Sequence, residues 1–148
     1  MKSARAGLMV LFLSLTGPAS ALVATEASVT VPEEVSKRIS DFFTIVKSGQ
    51  NEAAIKAITG SSPLWERSGI KEQMTAQLDT ANKIYGPMAE YECPVTYRTG
   101  TLFLRQYCFA QHQELILRWQ FDFVRAGRGW SLSAFSFADQ STQWPDQP

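Results

Sequence analysis

Two cysteines and one histidine are the side chains of this 148-residue chain most suited to metal or redox chemistry. Cys93 and Cys108 could form a disulfide, contribute to a metal site or act as a redox dithiol. They lack CxxC spacing, and His112, close after Cys108 in what the sequence predicts to be a turn, leaves a zinc site short of ligands. The choice among the three interpretations depends on the compartment in which the protein folds.

The N-terminus indicates that compartment. Lys2 and Arg5 precede an apolar run over residues 8–15, and the small residues of 17–21 follow it. This order is typical of a secretory signal peptide with an A-x-A cleavage site. A membrane anchor fits less well, because the run is shorter than a membrane-spanning helix and no cysteine follows the cleavage site to carry a lipid. We expect residues 1–21 to be removed and the mature protein to be periplasmic or secreted, where a cysteine pair favours a disulfide.

The charge balance argues against nucleic acid as a partner. The whole chain has 14 basic and 14 acidic residues, and loss of the signal peptide removes two basic residues and no acid, which leaves 12 against 14. A nearly neutral chain without a basic stripe is poorly suited to hold a phosphate backbone. The length suits one domain, which we place at 32–139, after a flexible leader at 22–31 and before a polar, disordered tail at 140–148.

The first half of the domain has the apolar period of helices. One helix is predicted from Pro32 to Ser48-Gly49, and its apolar stripe consists of Val35, Ile39, Phe42, Phe43 and Val46. A short second helix is predicted over 52–59, with Asn51 as its N-cap. A third is predicted from Leu64 or Gly69 to Tyr85, with the stripe Ile70, Met74, Leu78, Ala81 and Tyr85.

The second half alternates as strands do. Strands are predicted at 90–98, 101–111, 114–125 and 130–138, and the short breaks between them favour antiparallel hairpins. In the third strand, Leu115, Leu117, Trp119, Phe121 and Phe123 form an apolar face opposite Ile116, Arg118, Gln120 and Asp122. The apolar face of the second strand is predicted to carry Leu102, Leu104, Gln106, Cys108 and Ala110. One side of the sheet is therefore expected to be dry.

Turn positions predict the pairing of these strands. A turn at His112-Gln113 pairs Phe109 with Ile116, Tyr107 with Arg118, Arg105 with Gln120 and Phe103 with Asp122. A two-residue turn at Thr99-Gly100 brings Cys93 opposite Gln106, two positions short of Cys108. A disulfide therefore requires a four-residue turn at 99–102 or a bulge, because the two Cβ atoms must approach to about 4 Å.

The last strand, with the pattern W-x-L-x-x-F-x-F, changes phase halfway. Trp130 and Leu132 share one parity and Phe135 and Phe137 the other, so strict alternation would expose one pair. An extra residue near Ser133-Ala134 would place all four side chains on the dry face and would bend the strand. We therefore predict an α+β fold in which N-terminal helices pack on one face of a curved, four-stranded antiparallel sheet.

This order of elements, with the W-x-L-x-x-F-x-F strand at its end, resembles the nuclear transport factor 2-like (cystatin-like α+β cone) superfamily, in particular its small exported members. The resemblance covers about Glu33 to Asp139. It implies a cone whose sheet and helices enclose a pocket, and frequently a dimer through the outer sheet face. The superfamily includes isomerases, dehydratases, binding modules and scaffolds, so the resemblance leaves function open.

Enzymes of the ketosteroid-isomerase-like or polyketide-cyclase-like kind place a proton-transfer group inside the cone. The dry face predicted here offers only Tyr91, Tyr97 and Gln106 as polar groups, with Asp122 on the wet face and His112 at a hairpin tip. A helix acid such as Asp41, Glu66 or Asp79 would have to turn inward. We assign no catalytic residue, metal or cofactor, and predict a non-catalytic exported binding or interaction module; the alternative is a small exported enzyme acting on a hydrophobic substrate.

Two surfaces are candidates for contacts with other molecules. A small hydrophobic ligand inside the cone would be lined by Trp65, Tyr85, Tyr97, Gln106, Trp119 and Trp130, although large aromatic residues at such positions also fill ordinary cores. On the outer sheet face, an apolar and charged patch could form a homodimer, or could be an ordinary solvated face. That patch consists of Phe103, Arg105, Tyr107, Phe109, Ile116, Arg118 and Asp122.

Overall fold

Three helices are followed by a four-stranded antiparallel sheet in the computed structural model, which describes residues 29–67, 69–127 and 129–139. The elements are α1 (Glu33–Lys47), α2 (Asn51–Thr59), α3 (Ile70–Tyr85), β1 (Met88–Thr99), β2 (Phe103–His112), β3 (Ile116–Ala126) and β4 (Gly129–Ala138). The strands lie in the order β1-β2-β3-β4. The predicted α+β fold is confirmed; the predicted signal peptide, residues 22–28 of the leader and the tail lie outside the described residues.

Helix α1 follows its sequence pattern closely. The Pro32 carbonyl accepts the amide N–H groups of Val35 and Ser36 at 2.9 and 3.0 Å, and the helix ends at Lys47, with Ser48 after it. The predicted stripe Val35, Ile39, Phe42, Phe43 and Val46 is entirely buried. An amphipathic stripe of this kind gains most of its stability from the surface it packs against, which here is the inner face of the sheet.

Helices α2 and α3 are joined by a polar contact that replaces the predicted N-cap. Asn51 is the first residue of α2, and its side chain makes no capping hydrogen bond. Instead its Nδ2 donates to Asp79 Oδ1 at 2.6 Å, and its Oδ1 accepts from Asn82 Nδ2 at 3.3 Å. The N-cap prediction was wrong because tertiary packing buries this amide against α3, where it needs partners from that helix. Helix α3 begins at Ile70, consistent with the later of the two predicted starts.

A bulge in β1 makes the disulfide possible. Glu92 pairs with Phe109 and Val95 with Tyr107, so Cys93 and Pro94 together oppose the single residue Cys108. The turn into β2 is also longer than two residues, since Thr99 pairs with Phe103. The Cα atoms of the two cysteines are 3.9 Å apart and the disulfide is formed, which confirms the predicted bridge.

Two predictions about the dry face were wrong, one because of this bulge and one because of the turn that follows β1. Beyond an extra residue every side chain moves to the opposite face of a strand, so Tyr97 pairs with Arg105 on the outer face instead of facing the helices. Leu102 lies in the turn between β1 and β2 and is 64% exposed. Leu102 lies on neither face of the sheet, because the turn is longer than predicted and β2 begins only at Phe103.

The hairpin between β2 and β3 is also longer than predicted. Its turn is closed by the His112 N–H, which donates to the Leu115 carbonyl at 2.8 Å. The register therefore shifts by two residues, and the four predicted pairs were wrong: Phe103 faces Val124, Arg105 faces Asp122, Tyr107 faces Gln120 and Phe109 faces Arg118. Because the shift is even, every side chain keeps its predicted face.

The phase change in β4 has the predicted cause. Leu132 pairs with Phe123 and Ala134 with Asp122, which leaves Ser133 as the extra residue. The Ser133 hydroxyl donates to the Asp122 carbonyl at 3.1 Å and so holds the bulge to β3. Trp130, Leu132 and Phe135 are buried on the helix side and Phe137 is packed against the core.

Aromatic rings fill the space between α1 and the sheet. The Phe42 ring meets those of Phe43, Trp119 and Phe121 edge to face, with centroids 5.1, 5.2 and 5.6 Å apart. The Trp119 and Phe121 rings are stacked at 5.9 Å. Edge-to-face and offset contacts at these distances stabilise a core beyond the simple burial of area, and these rings occupy the middle of the space where a cone would enclose a ligand.

The disulfide gives a direct test of the β1–β2 register. The bond closes a loop with a sequence separation of 15, and breaking such a loop should lower the free energy of unfolding by about 3 kcal/mol. Urea unfolding with and without reductant measures this loss. Thiol titration of the unfolded, non-reduced protein should find no free thiol, and two free thiols per chain would contradict the bridge.

Candidate functional site

A groove between α3 and β4 is the candidate site. Its volume is about 650 Å³. Helix α3 contributes one row of side chains, and the five consecutive residues Phe135–Asp139 form the opposite wall. The lining from α3 consists of Gln73, Met74, Ala76, Gln77, Thr80, Ala81, Ile84 and Tyr85. This size is in the range of clefts that take small ligands.

The position of the groove follows from the edge of the sheet. β4 pairs only with β3 among the described strands, so its other edge faces away from the sheet. Near its start this edge is covered by α1, since Glu34 accepts the Trp130 N–H at 2.7 Å and Arg38 donates to the Trp130 carbonyl at 3.3 Å. The later half, after Ser133, lines the groove instead. Edge strands without such cover are places where other chains or ligands bind.

The groove exposes apolar surface that the core does not use. Ile84 is 59% exposed, one of the largest exposed fractions among the apolar side chains described. Met74 and Phe137 are half-buried against the core and present their remaining surface to the groove. Apolar surface gathered in a concave place, unlike scattered apolar residues, indicates a binding site.

One end of the groove is polar. The Tyr85 hydroxyl donates a hydrogen bond to the Asp139 carboxylate. This hydrogen bond raises the pKa of Tyr85, because the phenol must lose the bond when it loses its proton. Tyr85 therefore stays a hydrogen-bond donor, and the Asp139 carboxylate accepts from it at this end of the groove, whose walls also carry the polar side chains of Gln73, Gln77, Thr80 and Ser136.

The six residues predicted to line a ligand pocket do not share a cavity. Tyr85 alone lies in the α3–β4 groove. Trp65 packs on Phe135 and its Nε1 donates to the Leu132 carbonyl at 2.8 Å, so its polar atom is committed to the fold. Trp119 is 1% exposed in the aromatic core, Trp130 is buried at the start of β4, and Tyr97 stacks edge-on against Tyr107 on the outer face.

Gln106 has a structural partner for each of its polar atoms. Its amide nitrogen donates to the carbonyls of Cys93 and Val95 at 3.0 and 3.1 Å, and its oxygen accepts from the Thr96 hydroxyl at 2.8 Å. Both carbonyls belong to residues at the β1 bulge, where the ladder is interrupted. Gln106 thus compensates for hydrogen bonds that the bulge removes. A smaller cavity of about 460 Å³ between α1 and β1 also touches it.

None of the three acids considered for proton transfer turns into the interior, and Glu66 lies before α3 and not on a helix as expected. Asp41 and Glu66 pair with Lys37 and Lys71 at 2.6 Å on the surface, and Asp79 is exposed and accepts from Asn51. Within the ranges 29–67, 69–127 and 129–139, no three His, Cys, Asp or Glu side chains are grouped as a metal site requires.

His112 was expected at the tip of a hairpin, and that prediction was wrong. It is the last residue of β2 and is buried, because the chain turns only after it. Its Nδ1–H donates to the Gly86 carbonyl at 2.8 Å, which ties the end of β2 to the end of α3. In this position the imidazole supports the fold at the Tyr85 end of the groove.

The outer sheet face carries an ion pair within one chain. Arg105 donates from Nε and Nη2 to the two Asp122 oxygens, both at 2.7 Å. This bidentate contact raises the pKa of Arg105, chiefly through the hydrogen bond to Asp122. The two-residue register shift places Arg105 directly opposite Asp122. The sequence pattern had already placed both side chains on the outer face of adjacent strands, which was the available indication of an ion pair.

The predicted apolar patch on this face is divided by charged side chains. Tyr107 is only 7% exposed, since the Arg118 guanidinium lies 4.9 Å from its ring centroid and Tyr97 covers its other side. Burial lowers the pKa of Arg118. Phe103 and Phe109 are half-buried, and Ile116, 48% exposed, is the most open apolar member of the predicted patch.

No model of a known protein family matches the chain, and no curated protein is similar to it. Among the described residues, no helix combines the length and the apolar character needed to cross a membrane.

Gln106 should affect stability instead of ligand binding. Gln106→Ala leaves the Cys93 and Val95 carbonyls without their side-chain donor, so the free energy of unfolding should fall by about 1–3 kcal/mol in urea titration. Thr96→Val removes only one donor and should cost less, about 1 kcal/mol. A Gln106→Ala protein of native stability that binds apolar ligands less well would show instead that Gln106 contacts the ligand.

The two-fold dimer through the outer face stays a prediction, and Ile116 is the residue that tests it. Tyr107 is unsuitable because a charge at this buried position would destabilise the subunit. Ile116→Glu should shift the protein to monomer in sedimentation velocity and leave the helical circular-dichroism signal unchanged, because Ile116 is 48% exposed in the single chain. Leu102→Glu, at another exposed apolar position, should stay dimeric. A wild-type monomer at micromolar concentration would contradict the dimer.

Proposed function

We propose that this protein is a non-catalytic binding module of the nuclear transport factor 2-like superfamily, exported to the periplasm or secreted, that holds a hydrophobic ligand in the α3–β4 groove. The proposal rests on one observation, the groove of about 650 Å³ with Met74, Ile84 and Phe137 in its lining, beside the edge of β4 that pairs with no other described strand. The disulfide is compatible with export. The order and packing of the helices and strands are compatible with the superfamily.

The groove, and not the interior of the fold, is the proposed site because the interior is filled. Phe42, Phe43, Trp119 and Phe121 are all buried and touch one another. A ligand in their place would have to displace side chains packed at the density of a core, whereas the groove is already open. The proposed site for a hydrophobic ligand is therefore the α3–β4 groove and not the interior that the sequence suggested.

The lining suggests the chemical class of the ligand. The α3 wall from Gln73 to Tyr85 extends about 18 Å at the rise of an α-helix. An apolar body along Met74, Ile84 and Phe137 would leave a polar head beside the Asp139 carboxylate. The groove therefore suits an elongated amphipathic molecule whose head donates hydrogen bonds or carries a positive charge.

Binding is favoured over catalysis by the state of the two titratable groups in the groove. Among the described residues that line the groove, Tyr85 and Asp139 are the two with titratable side chains, and they are hydrogen-bonded to each other. The raised pKa of Tyr85 makes the phenolate a rarer species and keeps the hydroxyl as a donor. A donor–acceptor pair of this kind orients a bound polar head.

Dye binding tests the proposed site. Nile red, a neutral apolar dye, should bind the wild-type protein with a rise in fluorescence. Ile84→Glu places a charge on the groove wall, and since Ile84 is largely exposed the fold should be retained. The dissociation constant should rise by about tenfold or more, because a loss of about 1.4 kcal/mol in binding free energy corresponds to tenfold.

Leu102→Glu is the matched control. Leu102 is exposed to a similar degree but lies in the β1–β2 turn, outside the groove lining, so its substitution should leave dye affinity unchanged. Equal dye affinity of Ile84→Glu and wild-type protein would overturn the proposed site. Native mass spectrometry of protein from its own source complements the dye, since a retained molecule with an apolar body would identify the ligand class.

A further inference from the structure

We propose that Cys93 is a modification site: a small-molecule thiol enters the cavity between α1 and β1 and attacks the Cys93–Cys108 disulfide at Cys93, which then carries the thiol as a mixed disulfide. The cavity is separate from the α3–β4 groove, since the two linings share no residue. The proposal therefore does not depend on the proposed function. It rests on the unequal burial of the two cysteines, on the strands beside them and on the lining of the cavity.

The two halves of the disulfide differ in burial. Cys108 is 0% exposed and belongs to the hydrophobic core, whereas Cys93 is half-buried and packs at the margin of that core. A thiolate reacts only with a sulfur atom that it can reach, so access decides which end of a disulfide is attacked. Attack at Cys93 is therefore favoured, and Cys108 is the leaving group.

The strands on either side of the bridge favour the same direction of attack. The incoming thiolate approaches along the line of the breaking bond, from the side away from the leaving sulfur. For attack on Cys108 that side is toward β3, where Trp119 pairs with Cys108 and is 1% exposed. For attack on Cys93 it is the outer edge of β1, which pairs with β2 and with no other described strand. A strand thus blocks the approach to Cys108, and no described strand blocks the approach to Cys93.

A cavity of about 460 Å³ is lined by Cys93. Tyr91, Cys93 and Gln106 form its wall on the sheet, and α1 forms the opposite wall with residues that include Ser36 and Ser40. The bond to the buried Cys108 holds the Cys93 side chain on the helix side of the sheet, toward this space. The volume is in the range of clefts that take small ligands, so a small-molecule thiol fits beside Cys93.

The lining indicates the class of thiol. Among the described residues that line the cavity, Glu33 is the one acid and Lys37 the one base, so their formal charges cancel. Lys37 is also paired with Asp41 at 2.6 Å. The cavity therefore favours neither an anionic nor a cationic reagent strongly, and an uncharged thiol such as 2-mercaptoethanol is the suitable probe.

The reaction exchanges one disulfide for another. A bond forms between the reagent sulfur and Cys93 Sγ as the Cys93–Cys108 bond breaks, and the electron pair of that bond leaves with Cys108 Sγ, which takes up the proton that the reagent lost. A second reagent thiolate then attacks the reagent sulfur of the mixed disulfide. The protein is left with two thiols, and two reagent thiols have been oxidised to one disulfide.

Peptide mapping of the full-length mature chain shows which cysteine reacts. The folded protein is incubated with 2-mercaptoethanol and quenched with acid, which protonates thiolates and stops the exchange. Pepsin, active at the same low pH, cleaves among the leucine and aromatic residues of 102–107 and separates the two cysteines for mass spectrometry. The Cys93 peptide should carry the adduct in about tenfold excess or more over the Cys108 peptide, because access controls the exchange.

A bulky side chain in the cavity should slow the reaction. Ser40 lines the cavity and is exposed on α1, so Ser40→Phe places a ring in the path of the thiol without removing a core residue. The initial rate of adduct formation should fall by about tenfold or more, since access to the sulfur is reduced. Thr44→Phe is the matched control. Thr44 is exposed one turn further along α1 and outside the lining, so this variant should react at the wild-type rate.

Each outcome supports or overturns the proposed site. Equal adducts at Cys93 and Cys108 would show that the bridge reacts only after the chain unfolds, and would overturn the proposal. The same holds if the folded protein forms no adduct while the urea-unfolded protein does. Equal initial rates of Ser40→Phe and wild type overturn the cavity as the entrance. An adduct confined to Cys93, slowed by Ser40→Phe and not by Thr44→Phe, supports the site, and that confinement excludes reaction through unfolding.

Discussion

Two extra residues, one in β1 and one in β4, decide which side chains face the helices. In a pleated strand each added residue moves every later side chain to the opposite face. At Cys93-Pro94 this brings Cys93 against Cys108 and sends Tyr97 outward; at Ser133 it gathers Trp130, Leu132 and Phe135 on the inner face. Without either bulge the apolar pattern of these strands would be split between the core and water.

Each bulge interrupts the backbone hydrogen bonds between neighbouring strands, and nearby side chains donate to backbone carbonyls there. Gln106 donates to the carbonyls of Cys93 and Val95, and the Ser133 hydroxyl donates to the Asp122 carbonyl. Buried backbone groups without a partner are costly, so these contacts are a condition for the bulges to persist. The polar residues of the inner face therefore act on the backbone. Gln106 is the clearest case, because the sequence suggested that it contacts a ligand and the structure shows that it donates to the Cys93 and Val95 carbonyls.

The curved sheet and the aromatic core together place the candidate site at the edge. Phe42 and Phe43 of α1 pack onto Trp119 and Phe121 and fill the space that a cone would enclose. The edge of β4 is covered by α1 only near Trp130, whose backbone bonds to Glu34 and Arg38. Past the bulge, residues 135–139 and α3 form the two walls of the groove, and Ile84 and Met74 belong to its lining.

The groove itself could not be predicted from the sequence, whereas the apolar positions of several residues that line it could. Met74 and Tyr85 belong to the predicted stripe of α3, and Phe137 to the predicted apolar face of β4. Periodicity shows that a side chain is on the apolar side of its element, but it does not show how far the neighbouring element extends over it. Ile84 lies outside the predicted stripe of α3, and a single exposed apolar residue does not indicate a binding site until a second wall lies beside it.

The sequence by itself determined the α+β order, the stripe of α1, the bulge at Ser133 and the cysteine pairing, because each depends on local periodicity or on the compartment. The tertiary structure alone decided the registers, the burial of His112, the Arg105–Asp122 pair and the groove. These depend on turn lengths and on contacts between distant segments, and a difference of two residues in a turn leaves the face pattern of a strand unchanged while it replaces every partner across the ladder.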